Sequence, residues 1–140
     1  MIIGSGENKK KLLNFIIENN LSSSIKVIDF KKNPFPYLKK TNAFILSSIF
    51  EGLPNVILEA LTLKKFVISS DCPTGPKEIL DNGKGGLIFK MNNEFDLYKK
   101  IVFFIENKSK CEKLVHHGYN RLTRFDYQKN LEKYFKILNS

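Results

Sequence analysis

Apolar residues fall along this chain in two alternating patterns. Short continuous runs rich in Ile, Val and Phe stand at Ile2-Ile3, Ile25 to Phe30, Ala43 to Leu46, Phe66 to Ile68 and Leu87 to Phe89. Runs this short, bounded by Gly, Pro and Asn, read as strands buried on both faces. Between them the apolar positions take helical spacing, as in Leu12, Leu13, Ile16 and Ile17, or Val56, Ile57, Ala60 and Leu61. Strand alternating with helix predicts an α/β fold, a Rossmann-like parallel sheet flanked by helices. After Phe89 the pattern changes. Phe95 to Ile105, Cys111 to Tyr119 and Tyr127 to Leu138 read as amphipathic helices with no further strand, expected to wrap the sheet or cross to a neighbour. In the last of them Leu131, Phe135 and Leu138 keep core spacing, and Tyr119, Tyr127, Tyr134 and Phe135 read as helix packing rather than a stacking platform.

Composition narrows this picture. The 140 residues suit one domain, 1–140, and carry no internal repeat, low-complexity linker or second composition regime. Lys and Arg number 23 against 14 Asp and Glu, a net charge of +9 that would suit a polyanion or an anionic membrane. Yet only Arg121 and Arg124 supply the planar fork that specific phosphate or nucleic-acid recognition uses, so the charge reads as a solvated surface without a specific nucleic-acid partner. Cys72 and Cys111 stand far apart with no C-x-x-C spacing, which predicts neither zinc nor a disulfide and suits a reducing, cytoplasmic compartment. The apolar start at Met1 to Ile3 breaks at Gly4-Ser5-Gly6, and no stretch approaches the ~20 apolar residues of a spanning helix. The expectation is a chain with neither signal peptide nor anchor. His116 and His117 fall in a late helix with no matching carboxylate or cysteine pattern and read as helix surface.

In an open parallel sheet, anionic ligands gather at the carboxyl ends of the strands, where helix N-termini present unpaired N–H groups. Three loops there carry unusual residues. Gly4-Ser5-Gly6-Glu7 allows a tight turn and close backbone approach, but Lys9 stands where a dinucleotide fingerprint has its third glycine, and a plain helix-starting turn fits as well. Ser47 to Asn55 runs into a helix through Glu59. There Pro54 is expected in the first helical turn, Gly52 leaves the backbone uncovered, and together they build an anion seat. Glu59, about a turn inside that helix, can point back across the loop and accept from paired ribose hydroxyls, with Glu51 near any sugar beyond the phosphates. Both acids could equally be ordinary surface carboxylates near a helix start. The third loop, Ser69 to Ile79, is stiffened by Pro73, Gly75 and Pro76. Thr74 and Lys77 could line it with donors, or it could be a rigid connector.

The string Phe50-Glu51-Gly52-Leu53-Pro54-Asn55-Val56-Ile57-Leu58-Glu59-Ala60, with seven residues between its glutamates, resembles the signature of glycosyltransferase family 4 (group 1), whose members have the GT-B fold. Further landmarks agree in order and spacing over nearly the whole chain: Ile3 to Gly6, Asn33 to Leu38, Asp71 to Ile79, and Gly85-Gly86-Leu87. The resemblance implies the nucleotide-sugar-binding half of a retaining glycosyltransferase. Such an enzyme moves a sugar from a nucleoside diphosphate donor to a saccharide or lipid-linked acceptor, with no metal or other cofactor. It implies that Glu59 holds the ribose hydroxyls and that Glu51, the catalytic candidate, lies by the donor sugar. The backbone of Gly52, Leu53, Asn55 and Val56, with Pro54 among them, would face sugar and diphosphate. Gly4 and Gly6 would help form the cleft wall, and Phe30 would border the base, where Asp29 replaces a usual glycine. The Asp71 to Pro76 loop resembles members acting in lipopolysaccharide and other surface polysaccharide assembly with UDP-hexoses or UDP-N-acetylhexosamines.

The same resemblance implies an upstream strand–helix unit with an Arg and a Lys for the diphosphate, and before it an acceptor-binding domain. Neither lies within these 140 residues. The chain is therefore expected to be a partial donor domain, inactive alone. Its expected partners are a nucleotide sugar and a separate chain carrying the acceptor domain, at the cytoplasmic face of the membrane. Two other classes stay open: a basic interaction domain for nucleic acid or anionic lipid, and a fragment of a nucleotide-sugar epimerase.

Overall fold

The computed structural model describes residues 1–139, which form two compact units, Met1–Pro36 and a larger one from Tyr37 onward. In the first, β1 (Ile2–Ile3) pairs in parallel with β2 (Val27–Ile28), Ile2 opposite Val27 and Ile3 opposite Ile28. Helix α1 (Lys9–Glu18) connects them and buries Ile16, the centre of the expected apolar stripe, while Leu13 and Ile17 stay exposed. It ends in a double backbone clasp: Leu21 N–H donates to Ile16 O at 2.8 Å and Asn20 N–H to Ile17 O at 3.0 Å, with Asn20 at φ 57°. The short α2 (Phe35–Lys39), begun by Asn33 Oδ1 accepting from Phe35 N–H at 3.1 Å, was not foreseen.

In the larger unit β3 (Ala43–Leu46), β4 (Phe66–Ser70) and β5 (Leu87–Phe89) form a parallel sheet with β4 central. Helix α3 (Asn55–Thr62) joins β3 to β4, and α4 (Pro76–Ile79) lies between β4 and β5. After β5 come α5 (Glu94–Glu106), α6 (Lys108–Asn120), a 3-10 turn (Arg121–Phe125) and α7 (Tyr127–Leu138). These match the expected runs, and the fold is α/β with helices flanking parallel strands.

The alternation of side chains along β4 explains the layers. All five of its residues are buried. Val67 joins Ile57, Ala60, Leu61, Ile79 and Leu80 in a core under α3 and α4. Its neighbours Phe66 and Ile68 join Phe89 and Cys111 in a second core under α5 and α6, where Phe66 and Phe104 stack at 4.8 Å between ring centroids. A strand read as buried on both faces therefore carries one core on each.

Glycine sets how closely these layers meet. A Cβ on Gly86 would lie 2.6 Å from Val67 O, and one on Gly118 of α6 would lie 2.8 Å from Gly85 O. Arg124, one of the two guanidiniums, donates to Glu78 O and Ile79 O, both at 3.1 Å, and so closes the carboxyl end of α4 rather than facing a ligand.

The last helix departs from expectation. Asp126 caps α7 by accepting from Lys129 N–H at 2.9 Å, but the described residues bury none of its side chains. Tyr127, Tyr134, Phe135 and Leu138, read as packing positions, are exposed, and Leu131 is half-buried. The reason is positional: the sheet's faces are already covered by α3 to α6, and α7 leaves from the 3-10 turn with no open sheet face to cover.

Candidate functional site

The carboxyl ends of β3 and β4 release the two loops that the sequence singled out. The loop after β3, Ser47 to Pro54, enters α3. Pro54 is buried, yet it stands one place earlier than expected: with φ −71° and ψ 96° it is the N-cap, and Asn55 is the first helical residue. Proline has no side-chain acceptor, and among the described residues no side chain caps α3. The N–H groups of Asn55 and Val56, the first two of the helix, have no intrahelical acceptors and lie at its mouth. Ile57 N–H is taken by Pro54 O at 3.0 Å. Gly52 and Leu53 before them are exposed.

Glu59 follows one turn after Asn55, on the same helix face. Its Oε2 is fully buried and accepts no hydrogen bond from any described residue. Buried polar atoms in folded chains are nearly always partnered, and a missing partner costs about 1–3 kcal/mol. Glu51 is handled differently: its Oε1 accepts from Ser48 Oγ at 2.6 Å, which fixes the carboxylate against its own loop.

The loop after β4 leans on this one. Ser70 Oγ donates to Ser48 O at 2.6 Å, and the Thr74 hydroxyl donates to Glu51 O in a short hydrogen bond. Gly75, at φ 89°, lies against Gly52 and the Pro54 ring. Lys77 pairs with Asp71 at 2.8 Å. Thr74 and Lys77, which could have lined the loop with free donors, are thus committed to partners in the protein. The roles of Ser48 and Ser70 were not foreseen; the serines closing both adjacent strands, Ser47-Ser48 and Ser69-Ser70, were the available signal.

The other candidates lie in the first unit. A Cβ on Gly4 or Gly6 would meet nothing within 4 Å, so this loop is open, and Phe30 is exposed. The two departures from the expected pattern there prove to be partners, since Lys9 Nζ forms a short ion pair with Asp29 Oδ1. That contact holds the Asp29 carboxyl below the usual carboxylate range. A cavity of about 630 Å³, lined by Asn42, Lys64, Phe66, Phe104, Cys111 and His116, opens instead at the amino ends of β3 and β4. That is the wrong end of a parallel sheet for an anion at helix N-termini. The candidate site is therefore sought at the loops, where the unpartnered carboxylate oxygen and uncapped N–H groups are.

His116 is exposed on α6, as expected, whereas His117 Nε2 lies 2.8 Å from Asp81 Oδ2. This contact lowers the Asp81 carboxyl below its ordinary value, with Lys84, Arg121 and Arg124 adding to the effect. A depressed folded value means that the contribution to stability is complete above the unfolded value and lost as pH falls through the folded one. In His117→Ala the Asp81 carboxyl should titrate closer to its ordinary pH, read by carboxyl-carbon NMR; an unchanged midpoint would mean the pair does not persist in solution.

Comparison with known proteins identifies the family and the fold. The chain is 50% identical over 80 residues to an uncharacterised glycosyltransferase of Methanocaldococcus jannaschii, covering 57% of this chain and 20% of that one. It is 28% identical over 138 residues to a Campylobacter jejuni N-acetylgalactosamine-N,N'-diacetylbacillosaminyl-diphospho-undecaprenol 4-alpha-N-acetylgalactosaminyltransferase, covering 99% of this chain and 38% of that one. The chain thus spans well under half the length of these curated relatives. The crystal structure of a Staphylococcus aureus TarM mutant, in complex with Fondaparinux, alpha-GlcNAc-glycerol and UDP, superposes with a TM-score of 0.87 at 24% identity, over 99% of this chain and 28% of that one. The glycosyl transferases group 1 family matches residues 1–121, and the chain belongs to that family, with the fold of a GT-B glycosyltransferase carboxyl-terminal domain.

Proposed function

We propose that this chain is the donor-binding part of a retaining, family 4 glycosyltransferase. The whole enzyme moves a hexose or N-acetylhexosamine from its uridine diphosphate carrier to a saccharide or lipid-linked acceptor in surface polysaccharide assembly. The observation that carries this reading is the buried, unpartnered Glu59 Oε2 one turn inside an uncapped helix. A carboxylate oxygen in that state needs hydroxyl donors, and paired ribose hydroxyls are such donors. The N–H groups of Asn55 and Val56 at the helix mouth, with the positive end of the α3 dipole, suit the diphosphate. Glu51, clamped by Ser48, then lies by the sugar as the catalytic candidate. Charge developing on the departing diphosphate would be met by fixed backbone dipoles rather than by a metal.

Support for the donor class comes from the TarM complex, which holds UDP, and from the C. jejuni relative, named for transfer of N-acetylgalactosamine to an undecaprenol-linked acceptor. Acceptor binding belongs to a further segment or chain, so this chain alone binds donor without transferring sugar. The assembled enzyme works at the cytoplasmic membrane face as a peripheral protein; among the described residues no helix is long and apolar enough to cross a membrane.

Isothermal titration of the chain with UDP should show saturable binding with a Kd near or below about 1 mM, equivalent to roughly −4 kcal/mol. Absence of heat with both uridine and guanosine nucleotides would sink the proposal. Equal affinity for unrelated polyanions with steep salt dependence would point instead to a basic interaction domain.

A further inference from the structure

Four contacts tie the end of β4 and the loop after it to the loop that precedes α3, and on the β4 side none of them comes from a residue placed against the donor. Ser70, 1% exposed, donates to Ser48 O at 2.6 Å. The Thr74 hydroxyl donates to Glu51 O. Gly75 is held at φ 89°, where a Cβ would stand 2.2 Å from Gly52 O and 2.5 Å from the Pro54 ring. Behind them Cys72, 1% exposed, lies with its Sγ 3.9 Å from Thr74 O, and the Asp71–Lys77 pair at 2.8 Å spans the loop.

We propose that the Asp71–Gly75 loop is a cradle that positions the Glu51–Pro54 loop and the mouth of α3, with Thr74 and Gly75 as positioning residues for the donor site; this rests on the functional reading above. The physical case is that Gly52 and Leu53 are exposed and α3 has no side-chain cap, so the Ser47–Pro54 loop has little of its own to hold it. Its carbonyl oxygens at Ser48, Glu51 and Gly52 all face the neighbouring loop. Carbonyls turned inward leave the N–H groups of the same peptides turned away, because the two ends of a planar trans peptide point in opposite directions. Fixing the carbonyls of Ser48, Glu51 and Gly52 therefore aims the N–H groups of Ile49, Gly52 and Leu53, of which Gly52 and Leu53 would meet sugar and diphosphate. It also sets the height of the Glu51 carboxylate, whose own clamp, Ser48, is held by Ser70. At position 75 glycine is required twice, by the positive φ and by the lack of room for a Cβ.

The test uses the full chain, UDP, and the variants Thr74→Val, Thr74→Ser and Gly75→Ala, read by calorimetry, thermal unfolding and backbone NMR. Thr74→Val keeps the shape and removes only the hydroxyl. Its unfolding midpoint should match the wild type, its amide order parameters at Glu51, Gly52, Leu53, Asn55 and Val56 should fall from about 0.85 toward 0.6, and UDP should bind about tenfold more weakly. Thr74→Ser should restore both readouts, and Gly75→Ala should lose more affinity than Thr74→Val. Unchanged order parameters in Thr74→Val, or looser amides with unaltered UDP affinity, would overturn the proposal. If wild-type chain binds no UDP, the donor reading fails and the order parameters alone decide the cradle: loosening confined to these amides upholds it, none overturns it. If Gly75→Ala does not fold, the Thr74 pair decides.

Discussion

Replacing Glu59 with leucine should make the chain harder to unfold and at the same time much weaker at holding a nucleotide. The two effects share one cause. Glu59 Oε2 is enclosed with no hydrogen-bond partner among the described residues. The desolvation penalty for such an atom is about 1–3 kcal/mol, and removing it together with its charge recovers most of that. Leucine and glutamate have similar helix propensity, so the exchange is close to neutral for α3 itself. A gain of about 1–2 kcal/mol is expected, which for a domain of this size is a rise of several degrees in Tm. Hydrogen bonds to a charged acceptor contribute about 1.5–3 kcal/mol, so loss of the carboxylate should weaken UDP binding by roughly ten- to a hundredfold. Glu59→Gln, which keeps shape and one acceptor oxygen, should fall between leucine and wild type on both scales. Calorimetry and thermal denaturation of the three proteins check this. A leucine variant that is less stable and still binds UDP would mean that Glu59 serves the fold and not the ligand. Stability surrendered at one buried atom is a common mark of a binding site.

Much of this was legible in the chain before any coordinates, and the reasons differ by element. The β4 run was readable because burial on both faces forces continuous apolar residues, and Phe66 to Ile68 have no polar break. Strand and helix then followed from the change of period on either side. Glu59 was readable by its distance from the loop, because helical geometry fixes what one turn means. Pro54 was misplaced by one residue because a proline's fixed φ suits both the N-cap and the first helical position, and only ψ, here 96°, separates them. Helix α2 gives no local signal of its own, because five residues are too few to show a helical period and Pro36 lies within them, although prolines are tolerated in a first turn. The bonds from Ser70 to Ser48 and from Thr74 to Glu51 join residues 22 and 23 positions apart. They depend on the register between β3 and β4, which no local pattern announces. The exposure of α7 was unreadable for the opposite reason: an apolar stripe says that a helix can be covered, and not by what.

Gly118 is where the largest loss of stability from a small change is expected. It lies inside α6, where exchanging glycine for alanine ordinarily gains about 1 kcal/mol by restricting the unfolded chain and favouring helix. Here the added methyl has no room: it would stand 2.8 Å from Gly85 O and 2.8 Å from Leu61 Cδ2, and Gly85 in turn could carry no Cβ without meeting Gly118 Cα at 3.0 Å. The first neighbour is backbone and cannot rotate away. The second belongs to a leucine 1% exposed, enclosed in the core with Ile57, Ala60 and Val67. Overpacking of this kind costs typically 1–3 kcal/mol, so Gly118→Ala should lose about 1 kcal/mol net despite the helical gain. Gly118→Val, which adds bulk and forfeits that gain, should lose about 3 kcal/mol or more, a large part of the 5–15 kcal/mol that holds a domain together. Urea denaturation gives both numbers, and an alanine variant more stable than wild type would show that α6 sits further from Gly85 in solution. The clash lies at Leu61, near the carboxyl end of α3, whereas Asn55 and Val56 open the other end. Under conditions where Gly118→Ala remains folded, its affinity for UDP should therefore equal that of the wild type, which separates loss of fold from loss of site.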